Sequence, residues 1–293
     1  MWIILALVSA FCLGFYDIFK KLSVRGNDVL TVLMLNTVFG ALFMSPFLLG
    51  GIAEGNYGFG NEVAGHLQIL LKSVIVLGSW LLGYFAIKHL PLTVQGPINA
   101  SRPVLVLVGA LLIFGERLNR VQWIGIMLGF TSLFLISRIG CKEGFSIKHS
   151  KWIWMSIGAT MLGAVSALYD KYLLRSYEPL EVQAWYSLYQ CMIMVTVISI
   201  LRLRRAKGGD KFQWRWTIPC IALFLTVADI AYFYSLSLDG SMVAIVSMIR
   251  RGSVIVSFVY GVIALHEKNI KPKLVDLSIL LVSLGFLVVG SQM

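Results

Sequence analysis

Apolar residues come along this chain in runs of about twenty, parted by short clusters of charged residues, glycine and proline. A helix rises 1.5 Å per residue, so about twenty apolar residues cover the ~30 Å hydrocarbon core of a bilayer. On that ruler the pattern predicts about ten membrane-spanning helices, at residues 3–24, 29–50, 67–89, 92–114, 121–138, 152–174, 181–202, 217–238, 241–264 and 274–291. Only Leu90-Pro91 parts the third run from the fourth, and only Asp239-Gly240 the eighth from the ninth. Both pairs are expected to be tight helical hairpins. Among the connections, residues 50–66 are glycine-rich and acidic, residues 202–215 are basic, and none reads as a separate soluble domain.

Composition fixes the class that the runs suggest. Of 293 residues, 58% are hydrophobic and 13% charged, and the mean hydropathy is +0.82. A soluble domain carries about 45–50% apolar and about 25% charged residues, so this chain has too few polar groups to cover a soluble surface. The expected class is an all-α, multi-pass integral membrane protein, with the bacterial inner (plasma) membrane as its expected location. The first run has no basic leader or small-residue cleavage site and reads as a retained span.

The net charge of +11 changes the picture through its placement. Numbering the connections one to nine, the odd ones hold seventeen cations: Lys20, Lys21, Arg25, Lys88, Arg138, Lys142, Lys148, Lys151, Arg202, Arg204, Arg205, Lys207, Lys211, Arg215, Lys268, Lys271 and Lys273. The even ones hold four: Arg117, Arg120, Lys171 and Arg175. Cytoplasmic loops carry the Lys/Arg excess, so the odd loops are expected inside and both termini outside. Topology and anionic head groups account for these cations without nucleic acid. The expected partners are the lipid bilayer and a small-molecule substrate, with monomer and homodimer both open.

Candidate chemistry is sparse. Cys12, Cys141, Cys191 and Cys220 form no C-x-x-C, and His66, His89, His149 and His266 are scattered. No cluster has metal-ligand spacing, so no metal or cofactor is expected. No G-x-S-x-G, H-E-x-x-H or P-loop occurs, and the chain is not expected to be an enzyme.

Two halves of the chain overlay at offsets near 150 residues. Tyr16-Asp17 matches Tyr169-Asp170, Arg102 falls near Arg250-Arg251, Glu116 matches Glu267, and Leu128-Gly129-Phe130 matches Leu284-Gly285-Phe286. The expected organisation is two five-helix repeats, residues 1–149 and 150–293. Five is odd, so the second repeat would enter the membrane from the opposite side, the inverted construction of many secondary transporters.

Further residues carry a family resemblance. They are Tyr84-Phe85-Ala86-Ile87-Lys88 with Leu90-Pro91-Leu92, Ser101-Arg102-Pro103-Val104, the Gly115-Glu116-Arg117-Leu118 corner, and Trp123-Ile124-Gly125. A looser second copy holds Tyr234-Ser235-Leu236, Ser253-Val254 and His266-Glu267-Lys268-Asn269. In these the chain resembles the drug/metabolite transporter superfamily, and within it the EamA-type ten-helix transporters. The resemblance implies movement of small metabolites, amino acids or drugs by alternating access without ATP hydrolysis.

Charges inside spans are costly, and they mark functional sites by default. Arg102 lies near the middle of the fourth span, Arg250 and Arg251 near the middle of the ninth, and Asp229 near that of the eighth. Arginine does not escape by deprotonation. One reading pairs Asp229 with Arg250 or Arg251. The other leaves Arg102 and one further arginine to bind a substrate carboxylate or phosphate. Asn99, Gln95, Trp80, Tyr84 and Tyr232 are the candidate cavity residues, each equally readable as an interhelical hydrogen bond. Asp229 and Asp17 are candidates for proton coupling or charge pairing. Asp170 reads as an interfacial ion pair beside Lys171, and Trp185, Tyr186 and Tyr189 as an interfacial aromatic belt. Glu116 reads as capping or pairing with Arg117, and Gly125-x-x-x-Gly129 as a close helix contact. The function expected is secondary transport of a small metabolite; the alternatives are a lipid-linked substrate flippase or other membrane-embedded non-transport protein on the same scaffold, and, as a separate class, a membrane-embedded enzyme.

Overall fold

A computed structural model describes residues 1–24, 26–55, 63–89, 98, 101–140, 151–204, 212–253, 255–256, 260 and 270–291. Among them are ten α-helices and no strand. They are α1 (Trp2–Val24), α2 (Val29–Ala53), α3 (Val63–His89), α4 (Arg102–Ile113), α5 (Arg120–Gly140), α6 (Lys151–Leu173), α7 (Pro179–Arg204), α8 (Thr217–Ser237), α9 (Val243–Arg250) and α10 (Ile270–Gly290). Each falls on one of the ten apolar runs. Helices are what a bilayer allows, since every backbone N–H and C=O must find its partner within the segment. Trp2–Val24, Val29–Ala53, Val63–Gly83, Lys151–Leu173 and Thr217–Ser237 are long and apolar enough to cross a membrane.

Two helices differ from their runs. α4 is 12 residues long and starts at Arg102, where the run starts at 92. Residues 90–97, 99 and 100, with the Leu90-Pro91 hairpin, lie outside the described residues. α9 has eight residues and stops at Arg250, inside the run at 241–264. The Asp239-Gly240 hairpin is present, and Gly240 takes the left-handed φ of +75° that a side chain would strain.

The chain divides into two compact units, residues 1–77 with 170–238 and residues 78–169 with 239–293. α3 and α6 contribute to both, and each unit draws on both halves of the sequence.

In the first unit α1 and α8 run antiparallel. Ser235 Oγ donates to the Trp2 carbonyl (2.8 Å), Ser9 Oγ donates to the Ala228 carbonyl (2.7 Å), and the Ser23 and Thr217 hydroxyls meet at 2.5 Å. Phe15 and Phe19 stack on Phe224 between these contacts. α2 lays Val32 on Ile218 and Ile221 of α8, and Met44 and Leu48 on Ala184 of α7. The α1–α2 turn is held by Asn27, which donates to the Gln213 carbonyl and accepts from the Gln213 N–H.

In the second unit α5 and α10 run antiparallel along a seam of small residues. A Cβ on Gly125 would lie 2.9 Å from Leu287 Cγ and 3.0 Å from the Ser283 carbonyl. One on Gly129 would lie 2.9 Å from Ser283 Oγ and from Met248 Sδ. Ser283 Oγ donates to the Gly125 carbonyl (2.6 Å), a bond that the absence of side chains permits. The later turns of α3 pack on the start of α6, where Ser79 Oγ donates to the Ala159 carbonyl (2.7 Å).

Candidate functional site

The arginines singled out from the sequence belong to the second unit, where α4 and α9 pack on each other. Pro103 has no N–H to give and suits the first turn of a helix, which is where Arg102 stands. Before it, the Ser101 N–H closes on the Ile98 carbonyl at 3.1 Å, and Ser101 Oγ donates to the same carbonyl at 2.6 Å. A helix N-terminus is the positive end of the dipole and repels a cation. The Arg102 guanidinium reaches instead to α6, where Nη2 donates to the Gly163 carbonyl at 2.7 Å. A Cβ on Gly163 would lie 2.6 Å from Arg102 Cζ and 2.8 Å from Nε, so glycine is what seats the guanidinium there.

Arg250 and Arg251 have the opposite setting. They close the last turn of α9, Arg251 as its C-cap, where unsatisfied carbonyls favour a cation. Beyond it the backbone tightens to i→i−3 bonds, from Arg251 to Met248, Gly252 to Ile249 and Ile255 to Gly252. The ninth run is therefore interrupted at its basic pair.

The Gly115-Glu116 corner ties these helices together. Gly115 has φ +62°, and the Glu116 N–H closes on the Ala110 carbonyl. The Glu116 carboxylate then accepts the N–H groups of Val243 (2.6 Å) and Ala244 (3.3 Å), at the head of α9. These are donors that a helix start leaves without partners. The structure thus gives Glu116 a capping role on another helix.

A second polar centre lies in the first unit, and sequence reasoning passed over its main member. Lys72 of α3 is 1% exposed, and its Nζ lies 2.5 Å from Oδ1 of Asp170, which is 6% exposed. The ammonium sits 3.9 Å from the Phe233 ring centroid and 4.4 Å from that of Tyr186. Gln190 Nε2 donates to the Tyr186 hydroxyl at 2.8 Å. Asp170 is thus a buried partner of Lys72. Tyr186 belongs to this core, apart from any belt. Trp185 and Tyr189 stack at 5.8 Å, and the Tyr189 hydroxyl meets His66 Nδ1 at 2.8 Å. A lysine within an apolar run was the available signal; what hid its role was a partner 98 positions away.

Of the remaining candidates, Trp80 is half-buried on α3 in the second unit. Asp17 is exposed on α1, Asp229 half-buried on α8 and Tyr232 buried on α8, all in the first unit. Gln95 and Asn99, with Glu267, lie outside the described residues, as does the Tyr84 side chain. No group of three metal-ligating side chains occurs among the described residues.

Comparison with known proteins follows from this architecture. Residues 1–138 match the EamA-like transporter family. A solved crystal structure 14% identical in sequence superposes over 98% of both chains with a TM-score of 0.75, which shows a shared fold. No curated protein matches the sequence. Over residues 1–138, just under half of its length, the chain is thus similar to the EamA-like transporter family, a family of multi-pass membrane transporters in the drug/metabolite transporter superfamily.

Proposed function

We propose that the protein is a gradient-driven secondary transporter of the bacterial inner membrane, moving a small metabolite with an anionic group, such as an amino acid or organic acid, by alternating access. The observation that carries the reading is the pair of short helices α4 and α9. α4 begins at Arg102 and α9 ends at Arg250 with Arg251 as its C-cap, and these are the positions that the overlay of the two halves at offsets near 150 brings together. Interrupted helices in matching positions of an inverted repeat are where transporters build their substrate sites. In this reading Arg102 and Arg251, with Arg250 beside them, hold the substrate anion. Trp80, Tyr84, Gln95, Asn99 and Tyr232 are its further candidate substrate-binding residues. Asp229 or Asp17 carries the coupling proton.

The test is an uptake screen in proteoliposomes with amino acids, organic acids and amines, with and without a proton gradient. A charge-assisted hydrogen bond is worth about 1.5–3 kcal/mol, so Arg102→Gln and Arg251→Gln are each expected to lower uptake about 10- to 100-fold. Full uptake by both variants, or a cargo with no acidic group, overturns the anionic assignment.

A further inference from the structure

We propose that Asp170, with the ring faces of Tyr186 and Phe233, is a recognition site for a primary ammonium group, and that Lys72 occupies it as an internal stand-in. The site belongs to the first unit and the arginines to the second. It has the parts that ammonium recognition calls for: a carboxylate for the charge, and two aromatic faces at 3.9 and 4.4 Å for the remaining cation surface. All four side chains are at least nine-tenths buried.

Two arguments separate a binding site from a mere structural pair. A buried ion pair is a poor means of holding helices together, because desolvating two charges consumes what their attraction returns, and well-packed apolar residues do as well. The second argument is an acceptor in excess. Gln183 stands three residues before Tyr186 on α7, on the same helix face. It is 2% exposed, and its Oε1 has no hydrogen-bond partner among the described residues. An ammonium group brings three donors, and a ligand free of the lysine stem can turn one towards Gln183. That the ligand is the transported cargo rests on the transporter reading; the ammonium site itself does not.

The experiment needs no transport. Lys72→Ala removes three carbons and the ammonium, the atoms of n-propylammonium. Thermal unfolding of the purified full-length variant is measured against n-propylammonium chloride, with sodium and tetramethylammonium chloride at matched ionic strength. The expected result is a saturable rise in Tm on the order of 5 °C with n-propylammonium alone. It should be smaller in the wild type, where Lys72 competes, and absent in Lys72→Ala/Asp170→Asn. Lys72→Ser, which leaves the carboxylate a hydroxyl partner, is run alongside, and a response in either variant supports the site. No saturable rise, an equal rise in the Asp170→Asn double variant, or failure to recover both single variants even when extracted in n-propylammonium overturns it. If n-propylammonium binds while the uptake screen finds no amine-bearing cargo, the site stands and its link to transport falls.

Discussion

Lys72 and Arg102 are both single cations in apolar runs, and the sequence shows both plainly. Their settings are what it does not show, because each is held by an atom far along the chain: Asp170 for Lys72, the Gly163 carbonyl for Arg102. Asp170 was obscured by its own neighbour, since Lys171 offers a local partner that the fold sends instead to the Leu236 carbonyl. Two outcomes follow from these settings. Removing one member of a buried pair leaves an uncompensated charge and costs about 3–5 kcal/mol, whereas removing both is close to neutral. Lys72→Met alone is therefore expected to lower the Tm in detergent well beyond the double variant Lys72→Met/Asp170→Leu; equal Tm values would show that the pair carries no such charge penalty. At Gly163 the steric argument is direct. Gly163→Ala puts a methyl 2.6 Å from Arg102 Cζ and should unseat the guanidinium while leaving α6 intact. Uptake is expected to fall as far as in Arg102→Gln, with circular dichroism unchanged. Wild-type uptake by Gly163→Ala would mean that the seat does not matter.

At the scale of elements, the ten apolar runs located the ten helices given among the described residues, because helix length is set by bilayer thickness and hydropathy reads length directly. The same measure missed the interruption of the ninth run and the turn at Ser101 before α4, because hydropathy does not register where backbone bonding changes. Arg251-Gly252 and Ser101-Arg102-Pro103 mark the two places, a glycine beyond a helix end and a proline inside a helix start. The Glu116 cap on α9 was illegible for another reason, since its partners stand 127 and 128 positions away. A lost cap costs about 0.5–2 kcal/mol, and a short helix has few other bonds to hold its first turn. Glu116→Ala is expected to speed amide exchange across Val243–Val246 without affecting α5. Glu116→Gln, which keeps an acceptor but loses the charge at the positive helix end, should lie between it and the wild type. Unchanged exchange in Glu116→Ala would show that the cap is dispensable.

For the molecule as a whole, membrane class was legible because it rests on a feature repeated along the entire chain, the apolar runs, whereas the likeness to a transporter family was carried mainly by motifs of the first half, where residues 1–138 match it. Orientation rests on another whole-chain feature, the imbalance between seventeen cations in the odd connections and four in the even ones. Its physical basis is that Lys and Arg near span ends resist translocation, with the membrane potential adding about 2.3 kcal/mol per charge per 100 mV. The seventh connection concentrates the effect, with Arg202, Arg204, Arg205, Lys207, Lys211 and Arg215 within fourteen positions. With ten spans, an inside seventh connection requires the segment after α10 to be outside. Alkaline phosphatase fused after residue 293 should then be active and green fluorescent protein dark there, with the reverse result for fusions placed between residues 205 and 211. A fluorescent, phosphatase-inactive fusion after residue 293 would reverse the orientation. Since it would put seventeen cations on the outer face, it would also show that interhelical packing, and not loop charge, decides how this chain inserts. Neutralising the six cations of the seventh connection separates the two forces: if charge decides, the reporter signals after residue 293 shift toward the inverted form, and if packing decides, they stay as they were.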